Sequence, residues 1–151
     1  MGRRVGGLII AVSMVLFAPL VFAQPMKGRG MGGWGMGTQY QRMYNPATVE
    51  TVSGTVEAVD KIIPLKGMSY GVHVRLKTDK ETIPVHLGPG WYIEKLDTKI
   101  EKGDTITVKG SRVTIGDNPA IIAAEIKKGD KVITLRDEKG VPAWSRRGMR
   151  R

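Results

Sequence analysis

The sequence contains no cysteine. That excludes a disulfide framework, a thiolate metal centre, a cysteine nucleophile, haem attachment through CxxCH and a lipidated N-terminal cysteine. Only two histidines occur, His73 and His86, so no site can be built on three imidazoles. Aromatic residues are sparse at 6%. There is no GxSxG, no HExxH, no P-loop and no paired-carboxylate pattern. Ser53 and Ser111 lie near glycine, but no local pattern makes either a nucleophile. The acids alternate with lysines along turns and outward strand positions, as on a solvated surface. These absences predict a binding module that is not an enzyme and takes no nucleotide cofactor.

Arg3 and Arg4 precede an apolar run from Leu8 to Phe22 that ends Val21-Phe22-Ala23. A short basic start, an apolar stretch and small residues at the cleavage positions predict a secretory signal over residues 1–23. An uncleaved anchor is the competing reading of that length. Export to the periplasm or outside the cell follows from the signal.

The formal net charge is +10. Its location matters more than its size. Residues 24–45 hold Lys27, Arg29 and Arg42 without an acid, and residues 145–151 hold Arg146, Arg147, Arg150 and Arg151 without an acid. Residues 46–144 hold all 14 acids of the chain and are nearly neutral. The composition thus predicts a neutral domain over 46–144 between a disordered Gly/Met-rich basic linker (24–45) and a basic tail (145–151). The tails are suited to an anionic polymer or a membrane surface. Gly28, Gly30 and Gly33 match GxGxxG, but no strand precedes them and no helix follows. Met26, Met31, Met36 and Met43 give the linker soft thioethers suited to Cu(I), although low-complexity drift accounts for them as well. Trp34 has no core to join on this reading.

Alternation marks strands at Val52–Ala58, Val72–Leu76 and Ile83–Leu87. Trp91, Ile93, Leu96 and Ile100 recur at near-helical spacing. Further strands contain Ile106 and Val108, then Ile122, Ala124 and Ile126, then Ile133 and Leu135. Val141 and Trp144 close the domain as a plug. The fold class is mainly β: a small OB-fold-like Greek-key β-barrel with one short helix between strands 3 and 4 and an extra C-terminal strand. If strands 72–78 and 81–87 pair across an even loop, Leu76 faces Ile83, Val74 faces Val85 and Val72 faces Leu87. The same register sets His73 opposite His86 on the outer face, close enough to share one ion. Arg75, Lys77 and Thr82 lie on that face, which is the usual ligand face of such barrels. Two solvent-facing histidines with no ligand are the plainer reading. Trp91 and Tyr92 either stack on a ligand or plug the barrel.

The pattern Ser53-Gly54-Thr55-Val56 through Val59-Asp60, and the turn Lys102-Gly103-Asp104 before Thr105-Ile106-Thr107-Val108, resemble small exported bacterial OB-fold proteins over about residues 48–127. Within that group the chain is similar in size and layout to the periplasmic copper/silver efflux chaperones. That resemblance implies Cu(I) bound by His73, His86 and Met68 with Trp91 nearby, although the paired Met of that family beside the Trp is missing. Three functions follow as expectations. The first is an exported binding module for an envelope protein or anionic polymer. The second is a Cu(I)/Ag(I) chaperone. The third is single-stranded nucleic-acid binding, which would need aromatic platforms on outer strand positions that carry none.

Overall fold

The computed structural model describes residues 31–145. The signal expected over 1–23, the basic residues Lys27 and Arg29, and Arg146, Arg147, Arg150 and Arg151 lie outside the described residues.

Six strands build one sheet: β1 (Val49–Ile62), β2 (Gly71–Lys77), β3 (Thr82–Pro89), β4 (Thr105–Ile115), β5 (Asn118–Lys128) and β6 (Lys131–Thr134). Two short helices accompany them, α1 (Gln39–Arg42) before β1 and α2 (Gly90–Ile93) between β3 and β4. The spatial order is β3-β2-β1-β4-β5-β6, and β3 also pairs with β5. That pairing is parallel, through Val85 with Ile121 and His86 with Ile122, and turns the sheet back on itself as a ring. Val56, Val74, Leu76, Ile83, Val85, Ile106, Val108 and Ile126 fill its interior at 1% exposure or less. Each such side chain contributes about 1.5–3 kcal/mol of burial free energy.

Local chemistry explains the turns. Gly116 and Asp117 both adopt positive φ, 56° and 71°, which the tight β4–β5 hairpin requires. Thr78 caps the β2–β3 loop, its hydroxyl accepting from the Lys80 and Glu81 amides at 3.1 Å. At Gly54, β1 crosses β2 so closely that a Cβ would sit 2.2 Å from the Lys77 carbonyl oxygen.

The register expected for the histidine hairpin holds for Leu76 with Ile83, Val74 with Val85 and His73 with His86. It fails at one pair. A bulge between Val72 and His73 sets Val72 against Gly88, not Leu87. The helix expected over Trp91–Ile100 stops at Ile93. Leu96 and Ile100 still pack on the core, but from irregular chain. The sheet also departs from simple alternation in β5, where Ala120, Ile121, Ile122, Ala123 and Ala124 are all buried. A register shift opposite Lys109 and Gly110 bulges Ala124. Its carbonyl then accepts from both Leu135 and Arg136 amides, at 2.7 and 3.0 Å.

The largest correction concerns the linker. Residues 31–45 form a strap folded on the ring. Trp34 and Tyr40 are 0% and 1% exposed, and Tyr44 is also buried. Trp34 packs against Gly71, where a Cβ would come within 2.3 Å of its ring, and its Nε1 donates to the Ser69 carbonyl at 3.1 Å. Thr38 caps α1 by accepting from the Gln41 amide at 3.2 Å. Composition misleads here because three aromatic anchors, not an apolar period, hold the segment down. The C-terminal end joins the same packing: Trp144 is buried and its Nε1 donates to the Trp34 carbonyl at 2.9 Å. Trp144 is thus in the core as expected, whereas Val141 is only half-buried.

Candidate functional site

Cross-strand pairing brings the two imidazoles together, with ring centres 5.5 Å apart and planes at 62°. Two rings sharing one ion at ordinary metal–nitrogen distances of about 2.0–2.1 Å would have similarly spaced centres. Both Nδ1 atoms are buried and without a hydrogen-bond partner. Asp60 stands opposite His73 in the β1–β2 register, its Oδ2 3.5 Å from His73 Nε2. This carboxylate favours the proton on Nε2 and leaves Nδ1 as a lone pair.

The histidines are not on an open surface. His86 is 5% exposed, and Tyr40 of the strap stacks over it at 6.1 Å and 27°. The alternation predicts solvent-facing histidines, whereas His86 is buried beneath the strap. Burial drives the His86 pKa down to about 4, helped by the charges of His73 and Arg136. His73 is also lowered, by burial first, with Asp60 opposing. Both rings are therefore neutral near pH 7.

The remaining expected ligand-face residues divide. Arg75, Lys77 and Thr82 are exposed beside the histidines. Trp91 and Tyr92 are half-buried in α2, and Tyr92 packs against Trp144 at 5.3 Å. Tyr92 thus serves the plug. Met68 is buried in the core and packs over Gly33 of the strap. Arg42 is not in a free tail, because it lies in α1 and its Nη1 donates to the Gly37 carbonyl at 2.7 Å. Among the described residues, no three His, Cys, Asp or Glu side chains gather to hold a metal ion.

A second feature shares Asp60 with the histidine pair. β1 pairs with β4 only through Thr55, yet it continues to Ile62 with β2 on one side. Its far half is therefore an open edge among the described residues. Beside it runs an apolar groove of about 310 Å³, lined by Val59, Ile93, Leu96, Ile100, Ile126 and Ile133 among others. Lys61, Lys99, Asp60 and Glu94 also border it. Val59, Ile63 and Val132 are exposed apolar residues at 41%, 60% and 53%. Periodicity missed this groove because the segment 94–100 that walls it is irregular.

No curated protein matches the chain. A family model described as the MamS/MamX magnetosome protein family matches residues 48–133. The match starts at the threshold of β1 and ends within β6, so it spans the whole sheet and leaves out the strap. It covers more than half of the sequence, and the chain belongs to the MamS/MamX magnetosome protein family.

Proposed function

We propose that this chain is an exported, non-enzymatic binding module built on an OB-fold-like barrel, and that its partner is another envelope protein. The barrel reading is supported by the cyclic neighbour order β1-β2-β3-β5-β4 with a short helix between β3 and β4. The family description, a magnetosome protein, supports a partner in that setting.

One observation carries the partner class: an open strand edge runs beside an apolar groove. An extended apolar segment satisfies both, adding backbone hydrogen bonds to β1 beyond Val56, whose own amide and carbonyl are bonded to Asp104 and Gly103, and side chains to the groove. The mixed charges at the border, Lys61 and Lys99 with Asp60 and Glu94, fit a protein better than a uniform polyanion. The test is a photoreactive side chain placed at Val59, with controls at Thr114 and Arg75. Adducts with one discrete envelope protein from Val59 alone are expected. Adducts from Arg75 alone, or with anionic polymer, would reject the groove.

A second reading has its own observation, the two unpartnered Nδ1 atoms on neighbouring rings. They fit a soft cation such as Cu(I), with imidazoles as the donors and Met68 held in the core. Anaerobic Cu(I) titration of the protein and of a His73→Ala, His86→Ala variant tests it. Equal binding by both would remove the site.

A further inference from the structure

The register of β1 fixes which of its residues meet a guest strand. In an antiparallel sheet, alternate residues turn both backbone groups to one neighbour and the residues between turn theirs to the other. Val56 faces the β4 side: its amide donates to the Asp104 carbonyl and its carbonyl accepts from the Gly103 amide, both at 2.8 Å. Val56 stands opposite Leu76, so Lys77, Arg75 and His73 are the β2 residues that turn their backbone groups to β1. The register shift between Val56 and Ala58 adds one residue to β1 and inverts its parity. Ala58, Asp60 and Ile62 then bond β2 opposite Arg75, His73 and Gly71. Val59 and Lys61 are left with amide and carbonyl turned to the open edge, where neither meets a backbone partner among the described residues.

The same register gives the direction of the side chains, because opposed residues of an antiparallel pair share a face. Val59 stands opposite Val74 and Lys61 opposite Val72, both buried, so Val59 and Lys61 face the interior of the ring. Asp60, opposite His73, faces the other way, towards that imidazole. Val59 is nevertheless 41% exposed, whereas Val56 and Val74, also facing inward, are 1% and 0% exposed. The apolar groove of about 310 Å³ opens over it. Of the ionised groups that line the groove, Lys61, Glu94 and Lys99 are on this side. The Glu94 carboxylate accepts from the Tyr70 hydroxyl at 2.7 Å and lies 3.7 Å from Lys61. Lys99 Nζ donates to the Glu94 main-chain carbonyl. Two ammonium groups thus share one carboxylate, and the Lys61 side chain, 68% exposed, has room for another.

Resting on the groove as the binding site, we propose that the guest is a strand antiparallel to β1 in which an acidic residue is followed, two positions later, by a large apolar one. The acidic residue pairs with Lys61 and the apolar residue with Val59. Each exchanges both backbone hydrogen bonds with its partner and sends its side chain to the groove. The carboxylate meets the Lys61 ammonium, and the apolar side chain fills the hollow beside Leu96, Ile100 and Ile126. The residue between them points away and is unconstrained. Antiparallel is the sense in which β1 pairs with both β2 and β4.

The probe is the capped peptide Ser-Thr-Glu-Thr-Leu-Thr-Ser, titrated at low salt into the isotope-labelled whole chain and followed by the backbone amide resonances. Those of Val59 and Lys61 should shift and saturate. Replacing the peptide's Glu by Gln should weaken binding about two- to fivefold, the size of one partly exposed ion pair, and Lys61→Met should erase that difference. Replacing its Leu by Ala should weaken binding about tenfold or more. Methylating the Leu amide nitrogen removes the bond to the Val59 carbonyl and should abolish binding, whereas methylating the amide of the Thr before it should not. Equal affinity for the Glu and Gln peptides, or a difference that persists in Lys61→Met, would overturn the acidic pattern and leave the groove standing. Indifference to methylation of the Leu amide would overturn the strand pairing. No shift at Val59 and Lys61 with any of these peptides would overturn both the pattern and the groove reading.

Discussion

Replacing Trp34 with alanine asks whether the strap is part of the folded domain. The indole is fully buried and packs edge-on to Tyr40 at 4.8 Å and to Trp144 at 6.4 Å. Truncating a buried Trp to Ala costs about 3–5 kcal/mol, depending on how far the site collapses. Collapse is limited here, because the ring fills the space over Gly71 and that residue has no side chain to move in. The Nε1 bond to Ser69 is lost as well, about 1 kcal/mol net. The main-chain carbonyl of Trp34 still accepts from Trp144. A loss of about 4 kcal/mol is therefore expected, a large share of the roughly 5–15 kcal/mol that holds a domain of this size together. Urea unfolding with tryptophan fluorescence and far-UV circular dichroism measures it, and the melting temperature should fall by roughly 10–20 °C. A loss below about 1 kcal/mol would refute the reasoning, since it would mean that the strap is laid on the ring without supporting it.

Other predictions follow from the same packing. His86 binds a proton more weakly folded than unfolded, its pKa moving from an unfolded value of about 6.5 to about 4. Stability is thus complete above pH 6.5 and declines as pH falls towards 4, by about 3 kcal/mol, with His73 adding in the same direction. Urea midpoints that stay level from pH 7 to pH 4 would contradict this. Gly71→Ala puts a methyl group into the Trp34 ring and should cost about 1–3 kcal/mol. The cost should fall but not vanish in a Trp34→Ala background, because the added Cβ still sits 2.8 Å from the Gly88 carbonyl oxygen, and a double-mutant cycle measures the difference. Gly54→Ala meets backbone at the Lys77 carbonyl, which cannot swing aside, so it should cost at least as much in the same unfolding assay. Arg112 joins Glu50 of β1 to Glu81 of the β2–β3 loop, but all three side chains are about one-third exposed. Arg112→Ala should therefore cost only about 1 kcal/mol.

Much of the sheet was legible because alternation and turns agree. Val74 with Val85 and Leu76 with Ile83 follow from period two and a four-residue loop, and His73 meets His86 by the same register. The bulge was not legible from alternation: it leaves Leu87 of β3 without a partner, and the glycines beside it, Gly71 and Gly88, mark a strand end as readily as a bulge. Nor was the strap. Its Gly and Met content resembles a linker, and Trp34, Tyr40 and Tyr44, six and four residues apart, are too few among Gly and polar residues to establish a period. Three buried aromatics in so short a segment were the available signal, because ordering them requires a surface to receive them. No pattern in the sequence singles out Arg136, which follows the end of β6. Only the folded chain brings Tyr44 and Trp144, from opposite ends of the domain, within 5.7 and 5.0 Å of its guanidinium carbon.

The central claim is that the β1 groove receives an extended apolar segment of an envelope protein. Its most direct test is the affinity of the protein captured at Val59, produced in pure form, for three versions of this chain. Those are the parent, Val59→Asp in the groove, and Arg75→Glu with Lys77→Glu on the histidine face. A charge placed among Val59, Leu96 and Ile100 should weaken binding by tenfold or more, whereas the face substitutions should change it by less than about twofold. Undiminished binding by Val59→Asp, with loss in the face variant, would contradict the account.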